Sequence, residues 1–490
     1  MRLYRLPVYF IVTTMVCVSC IGIRTVGVGP EENMSVTAVE SENNLDRSFS
    51  LPASGNVITP EDLAYKGAFR LPGGWDRPQT FAYGGNAMTY NPDGDVNGDA
   101  DGFPGSLYIM GHDRMAYGDL PDGSQVAEVN IPRPVIAENL EDLNYAEFIQ
   151  DFSNVADGFY ANMDEIPKTG MYYLNHPATG PKIHLAWGQH LQPPDEASHA
   201  WFSADLSAPD TVGSWFIGDQ NLYSVNGYMF GIPAEWADNF ADGRYIATGR
   251  MRDGGQGGMG PTLFAYRPWL DDGSAPPAGT RLEETVLLLY ENAYSSDEII
   301  RAMDSYQHAD EWEGGAWLTV DSGDSAVVFA GTKGGGEKYW YGYIHPEGAD
   351  KVCVDSSVTD FLTCRTADGN PCPQEDMGGC CSEDEGTCVS MRGWWTNRFD
   401  AQILFYDPAD FARVAVGEME SWEPQPFAAL DIDEHLFLSP PEWDRSMLGW
   451  GDQRRYRIGA AAFDRDSGYL YLLELFTDEA KPVVHVWGME

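Results

Sequence analysis

Several short stretches of this chain hold side chains that can move protons or grip anions. They are His112-Asp113-Arg114, Gln189-His190, Arg250-Met251-Arg252-Asp253, and Asp310 with Glu313, besides the isolated His199, His308, Lys333, Arg457 and Glu474. Imidazole changes charge near neutral pH, so His112 and His190 are candidate proton carriers. Carboxylates in pairs do the acid and base work of glycoside cleavage, and Asp113, Asp253, Asp310 and Glu313 are the candidates for it. Guanidinium groups pair bidentately with carboxylate, sulfate or phosphate, which makes Arg250 and Arg252 the leading anion clamp. Arg114, Gln189, His199, His308, Lys333 and Arg457 complete the expected substrate-binding set. A transition metal would draw on His112, His190 and His199. The sequence has no G-x-S-x-G, H-E-x-x-H or Walker pattern, which removes the commonest hydrolase, zincin and nucleotidase chemistries.

These positions lie far apart in sequence, so a scaffold must gather them. From Thr59 onward, short apolar alternations bounded by Gly, Pro, Asp and Asn point to an all-β chain. A Gly-led strand, a turn and a second strand recur five times: residues 85–91 with 105–114, 170–176 with 181–190, 227–233 with 243–252, 314–320 with 325–333, and 459–465 with 468–475. A further strand is expected after each pair, at 124–131, 199–206, 262–266, 339–344 and 483–487. A unit that cannot bury its own faces must stack against its copies. Five copies therefore predict a five-bladed β-propeller, with small residues leading each innermost strand because those strands crowd a narrow axis.

In such a ring the second strands end, and the innermost strands begin, on one face. The candidate residues, with Asn86 and Glu474, are then expected around one funnel, where a cluster of positive charge would attract an anion. Trp187, Trp201, Trp312, Trp317, Trp340 and Tyr341 offer either sugar-stacking surfaces or core filling. The glycine-rich run 255–260 fits G-x-G-x-x-G without a Rossmann unit around it, so it reads as a flexible loop over the funnel and not as a cofactor site. No nucleotide or redox cofactor is expected.

Asp93, Asp95, Asn97, Asp99 and Asp101 alternate with other residues, and Gly98 stands at the sixth place of the run. That is the start of an EF-hand-like calcium loop, although Pro104 replaces the bidentate Glu of the twelfth place. A structural calcium is expected there, in a turn on the face opposite the funnel.

The ends of the chain speak to compartment. Arg2 and Arg5 precede a short apolar run, and Val18-Ser19-Cys20 resembles a bacterial lipobox that would lipidate Cys20. Residues 1–20 are thus expected to be a signal peptide, 21–57 a polar linker and 58–490 the propeller. Six further cysteines, Cys353, Cys364, Cys372, Cys380, Cys381 and Cys388, fit a disulfide-rich insertion at 353–388, with their pairing open. The expected location is outside the cytoplasm, as an outer-membrane or cell-surface lipoprotein or a secreted or periplasmic protein. With 75 acidic against 30 basic residues the net charge is −45. That excludes non-specific nucleic-acid binding and leaves a lipid as the one route to a membrane.

The stretches Trp187-Gly-Gln-His190, Arg250-Met-Arg-Asp-Gly-Gly255, Arg392-Gly-Trp-Trp395, Phe405-Tyr-Asp-Pro408 and Pro482-Val-Val-His-Val-Trp487 resemble a family of exported, lipoprotein-like bacterial proteins. That family carries no activity to transfer. In expected architecture alone, the chain is similar to five-bladed propellers that act on glycans. The combined expectation is an exported propeller that binds and cleaves an anionic glycan, uronate-bearing or sulfated, by lyase or hydrolase chemistry. The alternative is a surface protein that holds a glycan or protein partner without chemistry.

Overall fold

In the computed structural model the described residues are 57–74, 77–95, 98, 102–111, 124–156, 158–160, 167–189, 195–250, 257–292, 301–307, 309–340, 394–438 and 457–489. After an opening strand, β1 (Leu63–Arg70), the first blade is β2 (Met88–Asn91), β3 (Ser106–Met110), β4 (Gln125–Asn130) and β5 (Phe148–Asn154). The second is β6 (Pro167–His176), β7 (Gly180–Gln189), β8 (His199–Ser203) and β9 (Val212–Ile217). The third holds β10 (Met229–Gly231), β11 (Ile246–Thr248) and β12 (Leu263–Tyr266). The short β13 (Arg281–Leu282) then crosses to pair parallel with β9, and β14 (Glu284–Leu288) completes the third blade. The fourth is β15 (Glu311–Thr319), β16 (Ser325–Trp340), β17 (Trp394–Tyr406) and β18 (Ala428–Asp431), and the fifth begins with β19 (Ile458–Asp464), β20 (Tyr469–Asp478) and β21 (Lys481–Met489).

The protein is a five-bladed β-propeller, and all five Gly-led segments are innermost strands. Their glycines explain themselves by contact. A Cβ on Gly170 would stand 1.9 Å from the carbonyl oxygen of Gly227, the leading glycine of the next blade. One on Gly459 would stand 2.3 Å from the carbonyl oxygen of Gly85. That same carbonyl accepts a 2.9 Å hydrogen bond from the Ala460 amide, which joins the last blade to the first. The axis is thus lined by backbone at van der Waals distance, and any side chain at these points would push two blades apart.

Between blades the core is apolar and aromatic. Trp187, Trp201 and Trp312 are buried there and fill the core, while the buried Trp317 also borders an axial cavity. Two strand expectations change. The third strand of blade four is β17, not 339–344, because β16 runs on to Trp340 and pairs Tyr339 and Trp340 with Trp395 and Trp394. The described part of the 255–260 run, residues 257–260, is packed and not loose: Gly257, Gly258 and Gly260 are buried, against the Tyr223 carbonyl and the Tyr290 ring.

The ring is closed by β1, which the repeat did not contain. It adds to β21 as the outermost strand of blade five, antiparallel from Leu63↔Met489 to Arg70↔Val483. Arg70 grips Asp478 with two hydrogen bonds, 3.0 and 2.6 Å, and Lys481 lies 3.2 Å from the same carboxylate. The hydrogen bond from Arg70 and the charge of Lys481 overcome burial and hold the Asp478 carboxyl below its ordinary range. The expected signal segment (1–20) with Cys20, most of the expected linker (21–57) and the cysteine-rich stretch 353–388 lie outside the described residues.

Candidate functional site

Strands β3, β7, β11, β16 and β20 climb toward the face on which β2, β6, β10, β15 and β19 begin, as their antiparallel registers require. This strand-tip face carries most of the buried charged side chains among the described residues. Arg250, Asp310, Glu311, Glu313, Lys333, Arg457 and Glu474 sit at the tips of blades three, four and five, none more than 8% exposed. A charge taken out of water is costly, so a concentration of them at one end of the axis marks either a built network or a site.

Much of it is a network. Lys333 Nζ lies 2.9 Å from Asp310 Oδ1 and also donates to the Ser305 carbonyl oxygen at 2.9 Å. Asp310 accepts two backbone amides as well, Gln307 at 2.9 Å and Gly334 at 2.8 Å. Burial raises the Asp310 carboxyl above its usual range, against the pull of Lys333. The pair ties the approach to β15 onto β16, so both residues, expected as catalytic acid and substrate ligand, are committed to each other. Arg457 is likewise hydrogen-bonded to Asp433, a carboxylate the sequence reading missed because it lies in a turn outside the repeat.

Glu474 is fully buried and accepts from the amides of Phe437, at 3.0 Å, and Leu438, at 2.8 Å. Its Oε2 also lies 2.9 Å from His485 Nε2, and His485 Nδ1 is 2.9 Å from the Tyr65 hydroxyl. The row Glu474–His485–Tyr65 thus crosses β20, β21 and β1, and Tyr65 stacks on His435 with ring centroids 4.1 Å apart. Burial pushes the Tyr65 phenol well up, so this is a latch and not an activated nucleophile. Tyr65→Phe should lower stability by about 1 kcal/mol, the usual worth of one hydrogen bond, read as a lower melting midpoint in wild-type buffer.

Arg250 is held by neighbours from its own blade. Its guanidinium donates to Asn226 Oδ1 and lies over the Tyr223 ring, 5.0 Å from the centroid. Both contacts orient the guanidinium. Glu313 occupies a β-bulge, where the β15–β16 register slips between Trp312 and Gly314, a device that re-aims side chains next to sites.

His199 needs correction. It is fully buried between blades two and three, with Nδ1 3.0 Å from Ser198 Oγ and Nε2 3.0 Å from Thr248 Oγ1. Burial drives its pKa down to about 3, so it is a neutral bolt between blades and reaches no substrate. Of the other expected members, His112, Asp113, Arg114, His190, Arg252, Asp253 and His308 lie outside the described residues. Gln189 ends β7 opposite Pro167.

The calcium run lies between β2 and β3, on the face away from the strand tips. Asp93 and Asp95 are described, and the Tyr173 hydroxyl is 3.5 Å from Asp93 Oδ2. Asn97, Asp99 and Asp101 lie outside the described residues. Among the described residues no group of three His, Cys, Asp or Glu is placed to hold a metal.

Fold and site together define a class: a five-bladed propeller with a buried charge network at its strand-tip face. The sequence matches no protein-family model and no curated protein, so what that face does is read from its own residues.

Proposed function

We propose that the protein is an exported glycan-binding propeller that takes an acidic polysaccharide, uronate-bearing or sulfated, at its strand-tip face. The observation that carries the reading is Arg250. In a chain of net charge −45 its guanidinium is held at a strand tip by an amide and a phenol ring. A cation oriented in this way suits a carboxylate or sulfate. Arg114, Arg252, His190 and His308, which lie outside the described residues, are proposed as further ligands of the same polymer. If the glycan is cleaved, His112 or His190 takes a proton in the lyase form, with the arginines neutralising a uronate. Two acids among Asp113, Asp253 and Glu313 flank the bond in the hydrolase form.

The test is affinity electrophoresis of the full chain in polygalacturonate, in a sulfated polymer and in neutral dextran. Arg250→Ala should weaken binding to the acidic polymers by about tenfold, the worth of one charge-assisted hydrogen bond, and leave dextran mobility unchanged. Added salt should weaken acidic binding in the wild type. Equal losses on acidic and neutral polymers, or no retardation by any acidic polymer, would overturn the proposal. New unsaturated ends mark the lyase form and new reducing ends the hydrolase form; neither marks a binding module.

A further inference from the structure

The innermost strands border an open axial cavity of about 290 Å3 that receives residues from all five blades and lies toward the face opposite the strand tips. Its size is at the small end of ligand pockets, roughly 300–1,000 Å3, and suits one sugar ring better than a larger ligand. The rings of Tyr172, Phe230, Trp317 and Phe463 contribute to its lining, beside Asp464 and Arg465 from the end of β19.

Three polar groups in this lining have hydrogen-bonding capacity left over. Asp464 is 1% exposed; its Oδ1 accepts the amides of Asp466 and Ser467, while its Oδ2 is buried with no partner among the described residues. Arg465 makes one hydrogen bond, 3.2 Å to the Gly231 carbonyl oxygen, and no ion pair among the described residues. The Tyr172 hydroxyl lies over Gly231 so closely that a Cβ there would stand 1.9 Å from it. Burial raises that phenol despite the opposing charge of nearby Arg465, so it stays protonated as a donor.

The combination is selective. A buried carboxylate oxygen without a donor is costly and asks for a ligand hydroxyl. A guanidinium and a phenol on the same cavity ask for acceptors. Alcohol groups satisfy both, since each is donor and acceptor at once. The aromatic walls match the C–H face of a pyranose. An anion is a poorer fit, because Asp464 and Asp466 flank the one cation. We infer that the axial cavity is a second binding site, for a single neutral sugar residue, held by Asp464, Arg465 and Tyr172. This site is independent of the strand-tip proposal: it differs in face, residues and ligand charge.

Saturation-transfer NMR on the full chain tests it, with the methyl glycosides of D-glucose, D-galactose, D-mannose and D-xylose, and D-glucuronate as the charged comparison. At least one neutral glycoside should bind. Arg465→Ala should weaken it by about tenfold and Tyr172→Phe by a smaller factor. Arg465 is exposed and the Tyr172 hydroxyl bonds to none of the described residues, so both variants should melt as the wild type does. Polygalacturonate should not displace the glycoside. No neutral binding, binding of D-glucuronate alone, displacement by the polymer, or equal binding by both variants would each overturn the assignment.

Discussion

Replacing Lys333 by Met should cost the folded protein roughly 3–5 kcal/mol, the usual penalty for stranding one member of a buried ion pair. Asp310 has no exposed surface on its side chain, and among the described residues Lys333 is its only cationic partner, 2.9 Å away. The Gln307 and Gly334 amides would still bond the carboxylate but bring no full charge. Without Lys333, only the two amides oppose burial, so the folded pKa of Asp310 rises further above the unfolded value. A carboxyl with a raised folded pKa binds its proton more tightly when folded, so stability falls as pH rises through that window. The variant should therefore recover part of the loss as the pH is lowered toward about 4, where an unfolded Asp itself takes a proton. Pairing Lys333→Met with Asp310→Asn should cost less than Lys333→Met alone, because no ion is then left buried. Urea unfolding of the four proteins of that cycle measures it, and a double variant as unstable as Lys333→Met would mean that the ion pair is not the cause.

A chain shortened to begin at Leu71 should lose cooperative unfolding altogether. The deletion removes β1, and with it the ladder to β21, the Arg70–Asp478 pair and the Tyr65 end of the latch. Phe69 and Ala68 are fully buried and Leu63 nearly so. Burial of Phe69 and Leu63 is worth about 1.5–3 kcal/mol each, a large share of a net stability of about 5–15 kcal/mol. The loss also bares the backbone edge of β21, Lys481–Met489, whose side chains are almost all buried and apolar, a ready template for aggregation. The comparison is with a chain beginning at Val57, which should melt in one sharp transition. If the shorter chain melts as sharply and at a similar temperature, closure by β1 is not what holds the ring.

Glycine placement made the five blades legible. Gly85, Gly170, Gly227, Gly314 and Gly459 recur because the innermost strands crowd one another: Gly170 faces the Gly227 carbonyl, Gly459 the Gly85 carbonyl and Gly314 the backbone of β19, a demand that returns around the ring and so writes itself into local sequence. The second strands were readable for the same reason. The third strand of blade four was not, because β16 continues beyond the length its own alternation announces. Nor was β1, whose partner β21 stands more than four hundred residues away. The site divides along the same line. Sequence placed Arg250, Asp310, Lys333, Arg457 and Glu474 at equivalent strand tips, but could not say which charges were already spent. Lys333 is neutralised by Asp310, Arg457 by Asp433, and Glu474 is shared among two amides and His485. Residue type and spacing decide where a side chain stands in a repeating sheet. Whether its charge remains for a ligand depends on partners brought by the crossing of distant segments, and that is decided only when the ring closes.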